Sequence, residues 1–90
     1  MQVNLNKINS NNIIDIRSEY EFNQKNIPGS INISKMNLLR NPEKYLNKFD
    51  TYYLVCQKGY TSLSVSKILN ALGYNCYSIN GGIDYNIRNS

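Results

Sequence analysis

The sequence predicts an α/β fold, a parallel β-sheet of about five strands flanked by helices on both faces. Two observations predict it. Short apolar, β-branched segments alternate along the chain with segments of helical spacing, which is the arrangement of parallel α/β sheets. The clearest strand, TYYLV at Thr51–Val55, is an unbroken apolar and aromatic run, as expected where both faces of a strand are buried. A length of 90 residues suits one small domain, so we assign residues 1–90 to one domain.

The first half of the chain predicts two strands and two short helices. The run NIIDI (Asn12–Ile16) predicts a buried strand. Ser18 is a suitable N-cap with acidic residues after it, which predicts a helix over residues 18–24. The IPGS segment predicts a turn, and INIS after it predicts a short strand. The segment NPEKYLNKF, with Pro42 as its first helical residue, predicts a second short helix.

The second half predicts a longer helix between two strands. After the strand TYYLV, apolar residues recur at helical spacing from Thr61 onward, at Val65, Ile68, Leu69 and Leu72. Gly73 is positioned to end this helix. YNCYSI (Tyr74–Ile79) predicts the last strand, and NGG (Asn80–Gly82) predicts a turn.

Composition excludes several classes of function. The net charge is +4, but no basic run with interleaved aromatic residues occurs, so we expect no nucleic-acid partner. The sequence has no run of about 18 apolar residues and no basic, then apolar, leader, so we expect no membrane partner and a cytoplasmic location. With no histidine and two cysteines, it lacks the ligands of an ordinary zinc site and the imidazole of Ser-His-Asp catalysis. We therefore expect neither a metal nor another cofactor.

A cysteine stands where the clearest strand ends. Cys56 opens the segment CQKGYT, which leads into the helix that starts near Thr61. Ligands of open α/β sheets bind outside the carboxyl ends of the strands, and a loop curled around the sulfur would aim backbone N–H groups and a helix N-terminus at it. Gly59 permits such a curl, and Lys58 adds a positive charge at the rim. These features favour a reactive thiolate. The alternative, a small buried cysteine beside a solvated lysine, stays open at this point.

Two chemistries use cysteine loops of this kind. Cysteine phosphatases and arsenate reductases need an arginine six residues after the cysteine, because its guanidinium binds a tetrahedral oxyanion through two hydrogen bonds. The residue at that place is Ser62, and no arginine occurs between Cys56 and Asn80. The spacing therefore counts against phosphatase chemistry and leaves persulfide chemistry open.

Four further residues are marked by their positions. Asp15 and Arg17 lie at the predicted end of the first strand. They either add charge near the loop or serve the structure, with Asp15 accepting loop N–H groups and Arg17 paired to an acid such as Glu21. We interpret both as structural support, because buried charges are normally paired. Cys76 falls within a predicted strand and is interpreted as core packing, whereas the ring of Tyr60 is placed to form one wall of a pocket.

Four segments, in order and at matching spacings, resemble the rhodanese-like domain family over most of the chain. IDIR (Ile14–Arg17) resembles a strand end of the family, and EF followed by NIPGSINI (Asn26–Ile33) resembles its next segment. YYLVCQKGYTS resembles the active-site strand and loop, and LGY followed by INGGI (Ile79–Ile83) resembles the closing segment. The resemblance implies one rhodanese-like domain with a parallel five-stranded sheet.

The loop resembles that of thiosulfate sulfurtransferases, which runs Cys-Arg-Lys-Gly-Val-Thr. The resemblance implies that the Cys56 thiolate attacks the outer sulfur of thiosulfate, releases sulfite and becomes a persulfide, from which cyanide or a thiol takes the sulfur. It also implies that loop N–H groups hold the persulfide charge and that Lys58 attracts the sulfonate. The implied site consists of the catalytic residue Cys56 and the loop residues Gln57, Lys58, Gly59, Tyr60 and Thr61.

The chain departs from the family outside the loop. Asn26 stands where histidine is usual, Asn86 stands where tryptophan is frequent, and residues 1–12 are shorter than the family's first strand and helix, which puts that helix in doubt. Two-domain members complete their substrate pocket with the second domain. We therefore expect a shallow, exposed pocket, which suits a protein or small-thiol acceptor.

Two functions follow from the resemblance, and they share one intermediate. The first is an enzyme, a thiosulfate-type sulfurtransferase that works through a Cys56 persulfide. The second is a persulfide carrier or interaction module that receives sulfur from a cysteine desulfurase and relays it to a protein partner. A rhodanese fold without catalysis is a third reading, which the intact loop disfavours. The expected partners are a small anionic sulfur donor and a protein or small-thiol sulfur acceptor.

Overall fold

The computed structural model describes residues 2–8 and 12–87. Its centre is a five-stranded sheet in the order β1-β5-β4-β2-β3, in which every adjacent pair is parallel. The strands are β1 (Gln2–Val3), β2 (Ile13–Asp15), β3 (Ile31–Asn32), β4 (Thr51–Val55) and β5 (Asn75–Ile79). The helices are α1 (Glu19–Gln24), α2 (Lys35–Arg40), α3 (Tyr60–Ala71) and α4 (Gly82–Asn86), with short 3-10 helices at Leu5–Lys7 and Pro42–Lys44. The predicted α/β class and parallel sheet are confirmed.

Alternation along the strands divides the apolar side chains between the two faces of the sheet. In β4, Leu54 points to one face and Val55 to the other, and both are fully buried. One face forms the α3-side cluster, made of Ile14, Ile16, Leu38, Leu46, Tyr52, Leu54, Cys56, Val65, Leu69 and Cys76. The other forms the α4-side cluster, made of Ile13, Ile27, Val55, Ile79 and Ile83. Helices therefore cover both faces, as predicted.

The helices that flank the site begin and end where the sequence indicates. Ser18 caps α1 through a capping box, since its hydroxyl accepts the N–H of Glu21 while the Glu21 carboxylate accepts the N–H of Ser18. Helix α3 begins at Tyr60, and Gly73 ends it with a positive φ of 99°. The predicted strand at the centre of the sheet has the observed bounds, Thr51–Val55.

Three stretches differ from the sequence prediction. Helix α2 was not predicted; Ser34 caps it by accepting the N–H of Asn37. The helix predicted over NPEKYLNKF is a single 3-10 turn, Pro42–Lys44. The chain then turns before β4, where the Asn47 side-chain oxygen accepts the backbone N–H groups of Phe49 and Asp50. The turn predicted at Asn80–Gly82 leads directly into α4.

The N-terminal segment contributes an edge strand in place of the doubtful helix. Strand β1 pairs with β5, and the 3-10 turn Leu5–Lys7 follows it. Residues 9–11 of the segment predicted to be abbreviated lie outside the described residues. Among the helices of the described ranges, none is both long and apolar enough to cross a membrane.

Candidate active site

The loop between β4 and α3 curls around the sulfur of Cys56. All five strands are parallel, so their carboxyl ends share one edge of the sheet, and β4 is the middle strand. Cys56 follows β4 directly, and its side chain lies at the N-terminal end of α3 in the α3-side cluster. The Sγ atom accepts the backbone N–H of Gly59 at 3.1 Å and that of Ser62 at 3.2 Å. Two N–H dipoles and a helix N-terminus therefore point at one sulfur, an arrangement that can stabilise a negative charge placed there.

The Cys56 sulfur and its two N–H donors form a cradle, which two buried serine hydroxyls extend. The Cys56 thiol donates to Ser62 Oγ at 3.3 Å, and Ser62 Oγ lies 2.6 Å from Ser78 Oγ. Each hydroxyl is also 3.3 Å from the Gly59 carbonyl oxygen. All three side chains are buried. A hydroxyl can turn its hydrogen toward an anion, so Ser62 can donate to a Cys56 thiolate once the thiol proton has left.

A small cavity lies at the cysteine loop, and Cys56 is one of its lining residues. Its volume is about 190 Å³, and its lining residues are Cys56, Gln57, Lys58, Tyr60 and Thr61. Pockets for drug-sized ligands measure about 300–1,000 Å³, so this one suits a small molecule or ion. The rings and side chains at its rim, Tyr60 and Thr61 among them, are exposed. The loop residues predicted from the sequence thus line one cavity, with the exception of Gly59, whose backbone N–H donates to the Cys56 sulfur.

The Gly81-Gly82 turn locks the back of the loop. Ile83 N–H donates to the Cys56 carbonyl at 2.9 Å, and Asp84 N–H donates to the Gln57 carbonyl at 3.0 Å. A Cβ on Gly82 would lie 2.4 Å from the Cys56 carbonyl oxygen, a separation that atoms do not tolerate. The turn, read from sequence as a turn only, is therefore the backbone support of the cysteine loop.

Asp15 and Arg17 support the loop from the other side, with partners that differ from those predicted. The Asp15 carboxylate accepts the backbone N–H and the guanidinium of Arg17, the latter at 2.8 Å, and no loop N–H. Arg17 was expected to pair with an acid such as Glu21, but Glu21 serves the α1 capping box. Arg17 Nη1 instead donates to Gln57 Oε1 at 2.9 Å, which ties the buried ion pair to the loop. The expected partners were wrong, and the interpretation of both residues as structural support stays a prediction.

The second cysteine has no part in this arrangement. Cys76 is buried in the α3-side cluster, and burial raises the pKa of its thiol to about 11. A neutral thiol is a poor nucleophile. Cys76 therefore has the properties of a small apolar packing residue, as predicted.

Comparisons with known proteins decide the family. A family model for the rhodanese-like domain matches residues 2–85. The chain belongs to the rhodanese-like domain family. Domains of this family commonly transfer sulfur, so it is a sulfurtransferase-type family. No curated protein matched the chain.

Several solved structures share this rhodanese-like fold. A protein of Staphylococcus saprophyticus subsp. saprophyticus is 33% identical, with a TM-score of 0.77, and the match covers 87% of this chain and 77% of that one. A rhodanese-like domain protein of Staphylococcus aureus is 30% identical, with a TM-score of 0.71, over 79% of this chain and 69% of that one. An NAD-dependent persulfide reductase from A. fulgidus is 25% identical, with a TM-score of 0.76, over 96% of this chain and 16% of that one.

Sequence reasoning missed three residues of this rhodanese-like site. Ser62 was noted only because it is not arginine, and Ser78 and Asp84 were not singled out. One signal was available for Ser78, since a serine two residues after Cys76 occupies a position on the same buried face of β5. Nothing local marks Asp84, because its partner Gln57 lies 27 residues away along the chain.

Proposed function

We propose that this rhodanese-like chain is a sulfurtransferase that carries sulfane sulfur as a persulfide on Cys56, with thiosulfate as a donor and cyanide or a thiol as acceptor. The observation that carries the proposal is the pair of backbone N–H groups, from Gly59 and Ser62, on the Cys56 sulfur. This cradle holds negative charge on sulfur without histidine, which the sequence does not contain.

The proposed reaction has two displacements. The Cys56 thiolate attacks the outer sulfur of thiosulfate; the S–S bond of the donor breaks, and sulfite leaves with the bonding pair. The product is a persulfide whose terminal sulfur carries the negative charge. Cyanide or a thiolate then attacks that terminal sulfur, and the Cys56 thiolate leaves. Each half is a simple displacement at sulfur, so covalent catalysis divides one transfer into two easier steps.

The cavity supports a small anionic donor. Its 190 Å³ accommodate an ion of a few heavy atoms, and Lys58 places one ammonium group at the rim to attract a sulfonate. When the persulfide forms, its negative charge lies on the terminal sulfur, one atom farther out than Cys56 Sγ. The N–H groups of Gly59 and Ser62, which donate to Sγ, are proposed to stabilise the persulfide as well. Gln57, Tyr60 and Thr61 are proposed as binding walls.

A second candidate function is a persulfide carrier that takes sulfur from a cysteine desulfurase and gives it to a protein partner. Two observations favour it. The cavity that Cys56 lines is small and its rim residues Lys58, Tyr60 and Thr61 are exposed, so a docked protein surface would meet the cavity directly. The same fold also forms a 16% part of the NAD-dependent persulfide reductase from A. fulgidus. Both candidates place the persulfide on Cys56, and a cytoplasmic location is proposed for either.

Turnover with cyanide tests the enzyme proposal. The purified chain, thiosulfate and cyanide should yield sulfite and thiocyanate in equal amounts, and Cys56→Ser should yield neither above the uncatalysed rate. Turnover that persists in Cys56→Ser would show that Cys56 is not the nucleophile. If thiosulfate gives no product but a cysteine desulfurase with cysteine loads sulfur onto Cys56, the carrier function replaces the enzyme.

A further inference from the structure

Lys58, the residue expected to attract the donor, already has an acidic neighbour. Among the residues that line the 190 Å³ cavity, all within the described part of the chain, Lys58 is the only one with a basic side chain. Its Nζ lies 3.8 Å from Asp84 Oδ2, and the two side chains are 70% and 49% exposed. An exposed pair of this kind is weak, so Lys58 can turn toward a ligand, but Asp84 keeps a negative charge at the rim.

The carboxylate of Asp84 is held in place by the loop itself. Its backbone N–H donates to the Gln57 carbonyl at 3.0 Å, and its Oδ1 accepts a hydrogen bond from Gln57 Nε2. The Gln57 amide cannot be reversed without loss, because Gln57 Oε1 accepts from Arg17 Nη1 at 2.9 Å. Arg17 is in turn fixed by the buried Asp15 carboxylate. A continuous chain of contacts therefore leads from the core to Asp84 and fixes a negative charge beside the cavity.

We propose that Asp84 is a specificity-determining residue of the proposed sulfur-transfer site, and that it lowers reactivity toward doubly charged donors relative to singly charged ones. The inference rests on the proposed function. A fixed carboxylate repels a bound anion in proportion to the charge of that anion, and it also neutralises part of the Lys58 field. Thiosulfate, a dianion, feels twice the repulsion that a monoanionic donor feels. The natural donor class that fits this rim is therefore a singly charged sulfane donor, such as a thiosulfonate or an organic persulfide.

Donors of different charge provide the test. Thiosulfate and methanethiosulfonate both give a Cys56 persulfide; the first releases sulfite and the second releases methanesulfinate, each with the bonding pair. Asp84→Asn keeps the oxygen that accepts from Gln57 and removes the charge. We expect kcat/KM for thiosulfate to rise about three- to tenfold at low ionic strength, and that for methanethiosulfonate to rise by about the square root of this factor. High salt should shrink both gains, because these charges are exposed.

Asp50→Asn is the matched control. It makes the same change in net charge, but Asp50 directly precedes β4 and so lies at the opposite edge of the sheet. We expect less than about a twofold change for either donor, because Coulomb repulsion falls with distance and the five-residue strand β4, about 16 Å long, separates Asp50 from the site. A gain in Asp84→Asn that is equal for both donors, or insensitive to salt, or matched by Asp50→Asn, would overturn the inference. If both wild type and Asp84→Asn turn over thiosulfate with the same kcat/KM, the inference is wrong and the proposed function stands. If neither reacts with thiosulfate, the proposed donor is wrong and the inference falls with it.

Discussion

The two cysteines show how the surroundings of one side chain decide its chemistry. Both belong to the α3-side cluster, and both are buried. Cys56 lies at a strand end, where Gly59 and Ser62 turn their N–H groups to its sulfur. Cys76 lies inside β5, where burial alone acts and raises the pKa of its thiol to about 11. Position relative to the end of a strand therefore separates a candidate nucleophile from a packing residue.

The raised pKa of Cys76 predicts a contribution to stability that depends on pH. The folded protein holds the Cys76 proton more tightly than the unfolded chain does, so this contribution is complete below about pH 9 and is lost as pH rises toward 11. Its size is on the order of 3 kcal/mol, from a shift of two pKa units. Urea unfolding across this range should show a steeper loss of stability for wild type than for Cys76→Ala, which lacks the group. Equal slopes for the two proteins would contradict the prediction.

Replacing Ser62 with alanine is expected to slow sulfur transfer, in addition to any effect on packing in the core. Its hydroxyl faces the Cys56 sulfur at 3.3 Å, and a hydrogen bond to an anion is worth about 1.5–3 kcal/mol. Ser62→Ala should therefore slow persulfide formation roughly 10- to 100-fold. The control is Ser66→Ala, because Ser66 is equally buried in α3 but donates only to the Leu63 carbonyl, at 2.8 Å. A rate loss as large in Ser66→Ala would show that the effect is structural.

At the scale of elements, local sequence predicted what local forces decide. The strand Thr51–Val55 and the helix α3 were predicted because an unbroken apolar run and a long 3.6-residue period are strong signals. Helix α2 was missed because Lys35–Arg40 is six residues long and contains one buried residue, Leu38, so it shows no period. The helix predicted after Pro42 was too long because the turn that the Asn47 side chain makes with the backbone N–H groups of Phe49 and Asp50 cannot be read from apolar spacing.

The candidate site was predictable to the same extent and for the same reason. The Cys56 loop and the inward-turned N–H of Gly59 follow from a strand, a glycine and a helix that are adjacent in sequence. Contacts between distant segments were not predictable: Ser78 meets Ser62 across 16 residues, and Asp84 meets Gln57 across 27. The predicted partner of Arg17, an acid such as Glu21, was wrong because the sequence offers several acids and only the fold selects Asp15.

The contact between the α4 turn and the cysteine loop predicts an effect of one methyl group. Gly82→Ala would place a Cβ 2.4 Å from the Cys56 carbonyl and 2.6 Å from that of Gln57, so the loop must move. We expect a loss of about 3 kcal/mol or more of stability and a marked loss of sulfur transfer.

Gly29→Ala is the matched control for that substitution. Gly29 also has a positive φ, of 86°, but a Cβ there meets nothing within 4 Å. It should cost only the backbone term of about 1–2 kcal/mol and leave the rate of transfer unchanged. If Gly82→Ala transfers sulfur at the wild-type rate, the turn does not support the loop as described.

At the scale of the whole molecule, one sheet separates two small clusters, and the site depends on both. Cys56 is a member of the α3-side cluster, while the turn that supports its loop is anchored by Ile83 in the α4-side cluster. A domain of about 90 residues has a net stability of roughly 5–13 kcal/mol. The loss of a few buried contacts in either cluster would therefore remove a large fraction of the free energy of unfolding.

Leu54→Ala tests this dependence. Leu54 is fully buried in the central strand β4, and such a truncation costs about 3–5 kcal/mol. The thermal midpoint should fall by at least about 10 °C. Phe49→Ala, at a side chain that is 99% exposed, should change stability by less than about 0.5 kcal/mol. Equal midpoints for Leu54→Ala and wild type would show that the α3-side cluster does not carry the fold.

The most direct test of the account is the intact mass of the protein after incubation with thiosulfate. Wild type and Cys76→Ala should each gain the mass of one sulfur atom, and Cys56→Ser should gain none, because the persulfide is proposed to form on Cys56 alone. Addition of cyanide should return both masses to their starting values. A sulfur atom retained on Cys56→Ser, or found on wild type but absent from Cys76→Ala, would contradict the assignment of Cys56 as the sulfur carrier.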